Sequence, residues 1–150
     1  MQERNVRFED LMPLIRERIA AGESVRFFPK GTSMLPMLRQ GMDEVVLSPL
    51  PEQLNKYDLP FYQRRSGQYV LHRIVAVGET YTCIGDNQFE LEPGLAHDQM
   101  IGVVTAFTRG GKEHSVHELS YRVYCRLWHY SRPLRCFWRK VCWKLRRFFS

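Results

Sequence analysis

The hydrophobic pattern of the chain changes period twice. From Phe8 to Ile19, apolar side chains recur at Phe8, Leu11, Met12, Ile15 and Ile19, the spacing of one helix face. This predicts a helix over about 8–21, with Asp10 as its cap, Pro13 in its first turn and Gly22 as its stop. The pattern then shortens. Val25–Phe28, Glu44–Leu47, Leu59–Tyr62, Tyr69–Val77, Tyr81–Ile84 and Ile101–Phe107 are brief runs rich in β-branched and aromatic residues. Turn clusters such as Ser66-Gly67, Gly78-Glu79, Glu92-Pro93-Gly94 and Gly110-Gly111 separate them, so the runs are predicted as strands. From about Leu119 the helical period returns. Tyr121, Tyr124, Cys125 and Trp128 form one stripe; after Pro133, Leu134, Phe137, Trp138, Val141, Cys142, Leu145, Phe148 and Phe149 form another. Proline removes a backbone donor, so two amphipathic helices with a kink or turn between them are expected. The expected fold class is α+β and mostly β. It consists of an N-terminal helix, a β body over about 24–118 and a helical tail over 119–150.

Charge sharpens that division. The net charge of +6 comes from 22 basic and 16 acidic residues, but residues 121–150 hold nine basic side chains and no acidic one. The first 120 residues keep 13 basic against all 16 acidic, a net of −3, so the basicity belongs to the tail. A hydrophobic fraction of 44% is that of an ordinary globular domain. No run approaches the roughly 20 apolar residues of a membrane-spanning helix, and the charged start lacks a signal-peptide pattern. The four cysteines show no Cys-x-x-Cys pair and no metal-ligand spacing, so no metal is expected; without an export signal, reduced thiols and a cytoplasmic location are expected, and no cofactor.

Three short stretches carry the candidate chemistry: Gly31-Thr32-Ser33-Met34-Leu35-Pro36, Leu71-His72-Arg73-Ile74 and Gly85-Asp86-Asn87. A serine hydroxyl becomes a nucleophile only when a base takes its proton. Histidine titrates in the right range, and an acid that fixes its tautomer improves it. Ser33 is therefore the candidate nucleophile, His72 the base and Asp86 the orienting acid, although an Asx-turn role for Asp86 is equally open. Asp43 and Asp58 are expected to shape turns. His114 and His117 lack further ligands at metal spacing and are expected in a solvated loop.

Together with Gly41-Met42-Asp43 and Tyr57-Asp58-Leu59, these stretches resemble the type I signal peptidase superfamily, which includes the SOS-repressor-type autoproteases. The likeness covers residues 31 to 87, and Ile101–Phe107 extends it. The bacterial branch has a lysine where this chain has His72; the endoplasmic-reticulum and archaeal branch has histidine in a similar His-Arg-Ile context. The resemblance thus implies a coiled β-sheet domain over 1–118 and a Ser-His endopeptidase cleaving a leader or signal-type peptide. It also implies Glu92 as an alternative acid. The Ser33 N–H is the candidate first oxyanion donor, as in other acyl-transfer sites; many relatives carry a hydroxyl where this chain has Gly31, and Thr32 or a second backbone amide is the candidate replacement. The membrane anchor usual before the serine is replaced here by the charged stretch Phe8–Ile19, which points to processing at the cytoplasmic face.

The tail admits three readings: packing on the body, lying in an anionic membrane interface, or binding nucleic acid by stacking and charge. Nine unopposed cations exceed what packing needs, so the membrane surface is the expected partner and nucleic acid is not, with Trp128, Phe137, Trp138, Trp143, Arg139, Lys140 and Lys144 as the contacting set. The rival reading of the whole chain is a catalytically inactive peptidase-like module docked through this tail.

Overall fold

The computed structural model describes residues 7–149. Helix α1 (Phe8–Ala20) is followed by β1 (Val25–Phe27), β2 (Val45–Ser48), β3 (Pro60–Gln63), β4 (Tyr69–Leu71), β5 (Arg73–Val77), β6 (Tyr81–Ile84) and β7 (Glu92–Leu95). A 3-10 turn at His97–Gln99 leads into β8 (Met100–Arg109), then β9 (Lys112–Ser115), α2 (Leu119–Tyr130) and α3 (Arg132–Phe148). All strand pairs are antiparallel. One sheet runs β1-β2-β8-β3-β4 with β9 on the far half of β8; a second, three-stranded sheet runs β5-β6-β7.

Helix α1 turns Met12, Ile15 and Ile19 into the core, as their spacing predicts. Phe8, Phe27 and Phe61 meet there with ring centroids 5.4–5.8 Å apart. Gly22 ends the helix at φ +81, with its own N–H on the Ile19 carbonyl and the Glu23 N–H on that of Arg18. The start differs from expectation. Arg7 is the N-cap without a side-chain bond, Asp10 lies within the first turn, and Pro13 falls inside the helix. The apolar stripe reaches back to Phe8, so burial of its ring carries the helix upstream of the expected cap.

The run Tyr69–Val77 is not one strand. It breaks at His72, where the chain leaves the edge of the large sheet as β4 and enters the small sheet as β5. Tyr57 braces this crossover in the left-handed region, φ 77. Its N–H donates to the Ile74 carbonyl and its own carbonyl accepts from Arg73 Nη1. Strands β7 and β9 lie outside the predicted set. Strand β7 carries Pro93 and Gly94, which read locally as turn residues, and β9 is Lys-Glu-His-Ser, without an apolar alternation. Both form because the neighbouring strand offers a ladder, and β9 places His114 against Phe107, 5.6 Å between centroids, rather than in a free loop.

The two tail helices behave differently. Helix α2 buries Tyr121 and Cys125 in the main core, so the packing does not divide at residue 118. Helix α3 buries none of its residues. No helix among the described residues is long and apolar enough to cross a membrane.

Candidate functional site

The loop that carries Ser33 is tied down on several sides. Gly31 turns at φ +88 and its N–H donates to Gln40 Oε1 at 2.8 Å. Arg39 and the buried Asp43 form a two-pronged pair, 2.8 and 2.9 Å, that closes the far end of the loop. Arg109, at the end of β8, donates to the Pro36 and Met37 carbonyls. The Gly85-Asp86-Asn87 turn is stitched directly to the serine: the Asn87 N–H donates to the Ser33 carbonyl at 2.8 Å, and Asn87 Nδ2 donates to that of Thr32 at 3.2 Å. This approach requires glycine at 85, since a Cβ there would lie 2.6 Å from the Ser33 carbonyl oxygen.

Ser33 and His72 line the same cleft, of about 450 Å³, together with Gly31, Thr32, Gln40 and Asn87. The Ser33 N–H and hydroxyl take no hydrogen bond among the described residues, so the hydroxyl and imidazole are not bonded to each other here. The histidine is only 4% exposed. Burial penalises its charged form and lowers its pKa to about 4, against the pull of Glu92 and Asp86, so the ring is neutral near pH 7.

The acid that reaches this ring is Glu92, through Tyr62. Tyr62, fully buried in β3, donates its hydroxyl proton to Glu92 Oε1 at 3.2 Å. Its oxygen also lies 3.4 Å from His72 Nδ1. Burial alone would raise the Glu92 carboxyl, but three bonds from Arg64, at 2.6–3.0 Å, outweigh it and hold the group below its usual range. An ionised carboxylate can only accept, and Tyr62 has one proton to give it. Tyr62 oxygen must then accept from Nδ1–H, which leaves the lone pair of the neutral imidazole on Nε2. Arg64, Glu92 and Tyr62 thus act as one relay that sets the tautomer.

Asp86 is engaged elsewhere. Both of its oxygens are held by Arg73 at 2.9 Å, and one also accepts the Tyr124 hydroxyl at 2.8 Å. It forms no hydrogen bond with His72 and acts on that ring only through space. The expected orienting contact from Asp86 is therefore replaced by a structural one. Arg73 neighbours His72 in sequence but points to the opposite side, where it can reach the acid directly. Tyr62 and Arg64 escaped the sequence reading because their relevance comes from pairing of β3 with β4, Tyr62 opposite Val70, which no local motif records.

The tail candidates divide among three environments. Trp128 faces the body: its indole N–H donates to the Asp86 carbonyl at 2.7 Å and its ring lies under Arg135, 3.9 Å from the guanidinium carbon. Phe137 and Trp138 are exposed at 63% and 67%, on the α3 face shared with Leu134, Leu145 and Phe148. Arg139, Lys140 and Trp143 lie on the opposite face with Cys136 and line a second cleft, of about 960 Å³, against residues 87–92. Lys144 lies between the two faces. A comparison with protein-family models and with curated proteins finds no match to this chain.

Proposed function

We propose that the chain is a signal-peptidase-like serine endopeptidase that hydrolyses one bond in a leader or signal-type peptide. One observation carries this reading: Ser33 and His72 open onto a single cleft, and the imidazole there is neutral with Nδ1 already engaged. As substrate fills the cleft, the Ser33 hydroxyl closes onto Nε2, a contact that commonly tightens only in the loaded enzyme. Nε2 takes the proton while Oγ attacks the peptide carbonyl. The Ser33 N–H, with Thr32 beside it, faces the developing oxyanion. Nε2 then returns the proton to the departing amine. Water, activated by the same nitrogen, releases the acyl group from Ser33.

The enzyme acts as a cytoplasmic protein at the surface of an anionic membrane, docked by α3. What supports this is the direction of that helix: Phe137, Trp138 and Phe148 point away from the body, the last 80% exposed. An exposed apolar stripe flanked by cations such as Lys144 suits the boundary between headgroups and acyl chains.

The test is covalent labelling by a fluorophosphonate probe, which reports an activated hydroxyl without knowledge of the substrate. The parent chain should label at Ser33, and Ser33→Ala and His72→Ala should not. A parent chain that stays unlabelled would replace the peptidase with the rival reading, an inactive module docked through its basic tail.

A further inference from the structure

The second cleft shares a wall with the first. Arg64, Asn87 and Gln88 line both, so a chain leaving Ser33 and His72 across the 87–88 turn enters the groove between α3 and the segment 88–92. Its body wall is apolar in part, with Phe89 half-buried and Leu91 47% exposed. Its helix wall is the stripe Cys136, Arg139, Lys140 and Trp143, one face of α3 at i, i+3, i+4 and i+7.

The charge of this groove is unbalanced. Arg64 and Glu92 satisfy each other. The Arg139 guanidinium rests over the Phe89 ring, 4.7 Å from its centroid, and Arg147 over Trp143 at 4.8 Å. Stacking holds these two cations over flat apolar surfaces without neutralising them. Glu90 is the remaining acid on the lining, against Arg139 and Lys140, and residues 121–150 contribute no acidic side chain. A cationic wall facing Phe89 and Leu91 complements an extended segment that alternates acidic with apolar side chains.

We infer that the groove between α3 and residues 88–92 is a substrate-recognition site for an acidic, apolar stretch of the same peptide that is cut at Ser33. The inference rests on the peptidase reading and gives α3 two occupants, one on each face: peptide on the Arg139–Lys140 face, lipid on the Phe137–Trp138 face. Substrates are then selected at a distance from the scissile bond, so residues beside the cut carry only part of the specificity.

The test separates this site from the chemistry by using full-length Ser33→Ala protein. A dye-labelled hexapeptide alternating Glu with Phe and Leu, and its Lys-for-Glu counterpart, are titrated by fluorescence anisotropy. The acidic peptide should bind, and Arg139→Glu with Lys140→Glu should weaken it by about tenfold or more while gaining affinity for the lysine peptide. Leu91→Asp, on the opposite wall, should weaken the acidic peptide as well. Phe137→Ser with Trp138→Ser, on the outer face, should leave it unchanged. Equal binding of both peptides, indifference to the charge reversal, or stronger capture of oligo(U) than of the acidic peptide overturns the site. Loss of fluorophosphonate labelling in the parent, with acidic-peptide binding intact, instead removes the peptidase reading and leaves the groove standing.

Discussion

The guanidinium of Arg73 holds both carboxylate oxygens of Asp86 at 2.9 Å, in a pair whose side chains are 2% and 1% exposed. Around it Tyr121, Tyr124 and Cys125 of α2 close the remaining valences, and Trp128 seals the turn by bonding the Asp86 carbonyl. This one pair fastens α2 to the body and fixes the turn that supports Ser33. Removing one partner strands a buried charge, which costs about 3–5 kcal/mol. Arg73→Leu should therefore lose stability of that order in urea unfolding. The double change Arg73→Leu with Asp86→Leu should recover a large part, because no lone charge remains. If the single and double variants unfold alike, the pair does not act as a unit.

Acid should destabilise the fold through His72. Its pKa is about 4 when folded and near 6.5 when unfolded. Between those values the unfolded chain binds the extra proton, so this contribution is whole above pH 6.5 and is lost as pH falls toward 4. The loss is on the order of 3 kcal/mol across that window. His72→Gln should flatten this part of the stability profile. The same shift places the acid limb of Ser33 labelling near pH 4, and a limb near 6.5 would contradict it.

The Tyr62 relay makes a different prediction from a simple structural role. Tyr62→Phe and Glu92→Gln should each slow Ser33 labelling by about tenfold or more, because the tautomer is no longer imposed. Stability should fall by about 1–3 kcal/mol in Tyr62→Phe, which loses two hydrogen bonds and leaves the buried Nδ1–H without its acceptor. Nitrogen NMR of His72 should show the proton on Nδ1 in the parent and a mixture of tautomers in Tyr62→Phe. A proton that stays on Nδ1 in Tyr62→Phe, or a parent that is already a mixture, would remove the relay.

Gly85→Ala tests the seam between the two turns. The new methyl would stand 2.6 Å from the Ser33 carbonyl oxygen, so one of the two loops must move. Small displacements of a reacting group cost large factors in rate, so labelling should drop by about a hundredfold with the circular dichroism preserved. Normal labelling would mean that the seam does not position Ser33.

The outer face of α3 predicts membrane binding with a particular chemistry. Burying an aromatic side chain of this size contributes about 1.5–3 kcal/mol. Phe137→Ser with Trp138→Ser should abolish flotation with vesicles containing phosphatidylserine, while neutral vesicles should bind the parent weakly. Flotation that survives the double variant would assign the exposed stripe to another role.

What the sequence determined are features that local physics decides. Period marks α1 and the tail helices, and β-branched and aromatic runs between turn clusters mark six strand stretches, because local geometry decides which positions share a face. Gly22 is legible as the helix stop for the same local reason, and it stands at positive φ. The three short stretches also bring a hydroxyl, an imidazole and a carboxylate into view as candidates. Which of them touch is not local. His72 and Arg73 are adjacent in sequence, yet the break between β4 and β5 sends one to the cleft and the other to Asp86. Glu92 reaches His72 only because antiparallel pairing brings Tyr62 of β3 between them. The two faces of α3 are likewise plain from its period, but only packing against residues 87–92 tells which face is turned to the protein. Register and burial assign the partners of a polar group, and both are properties of the assembled sheets.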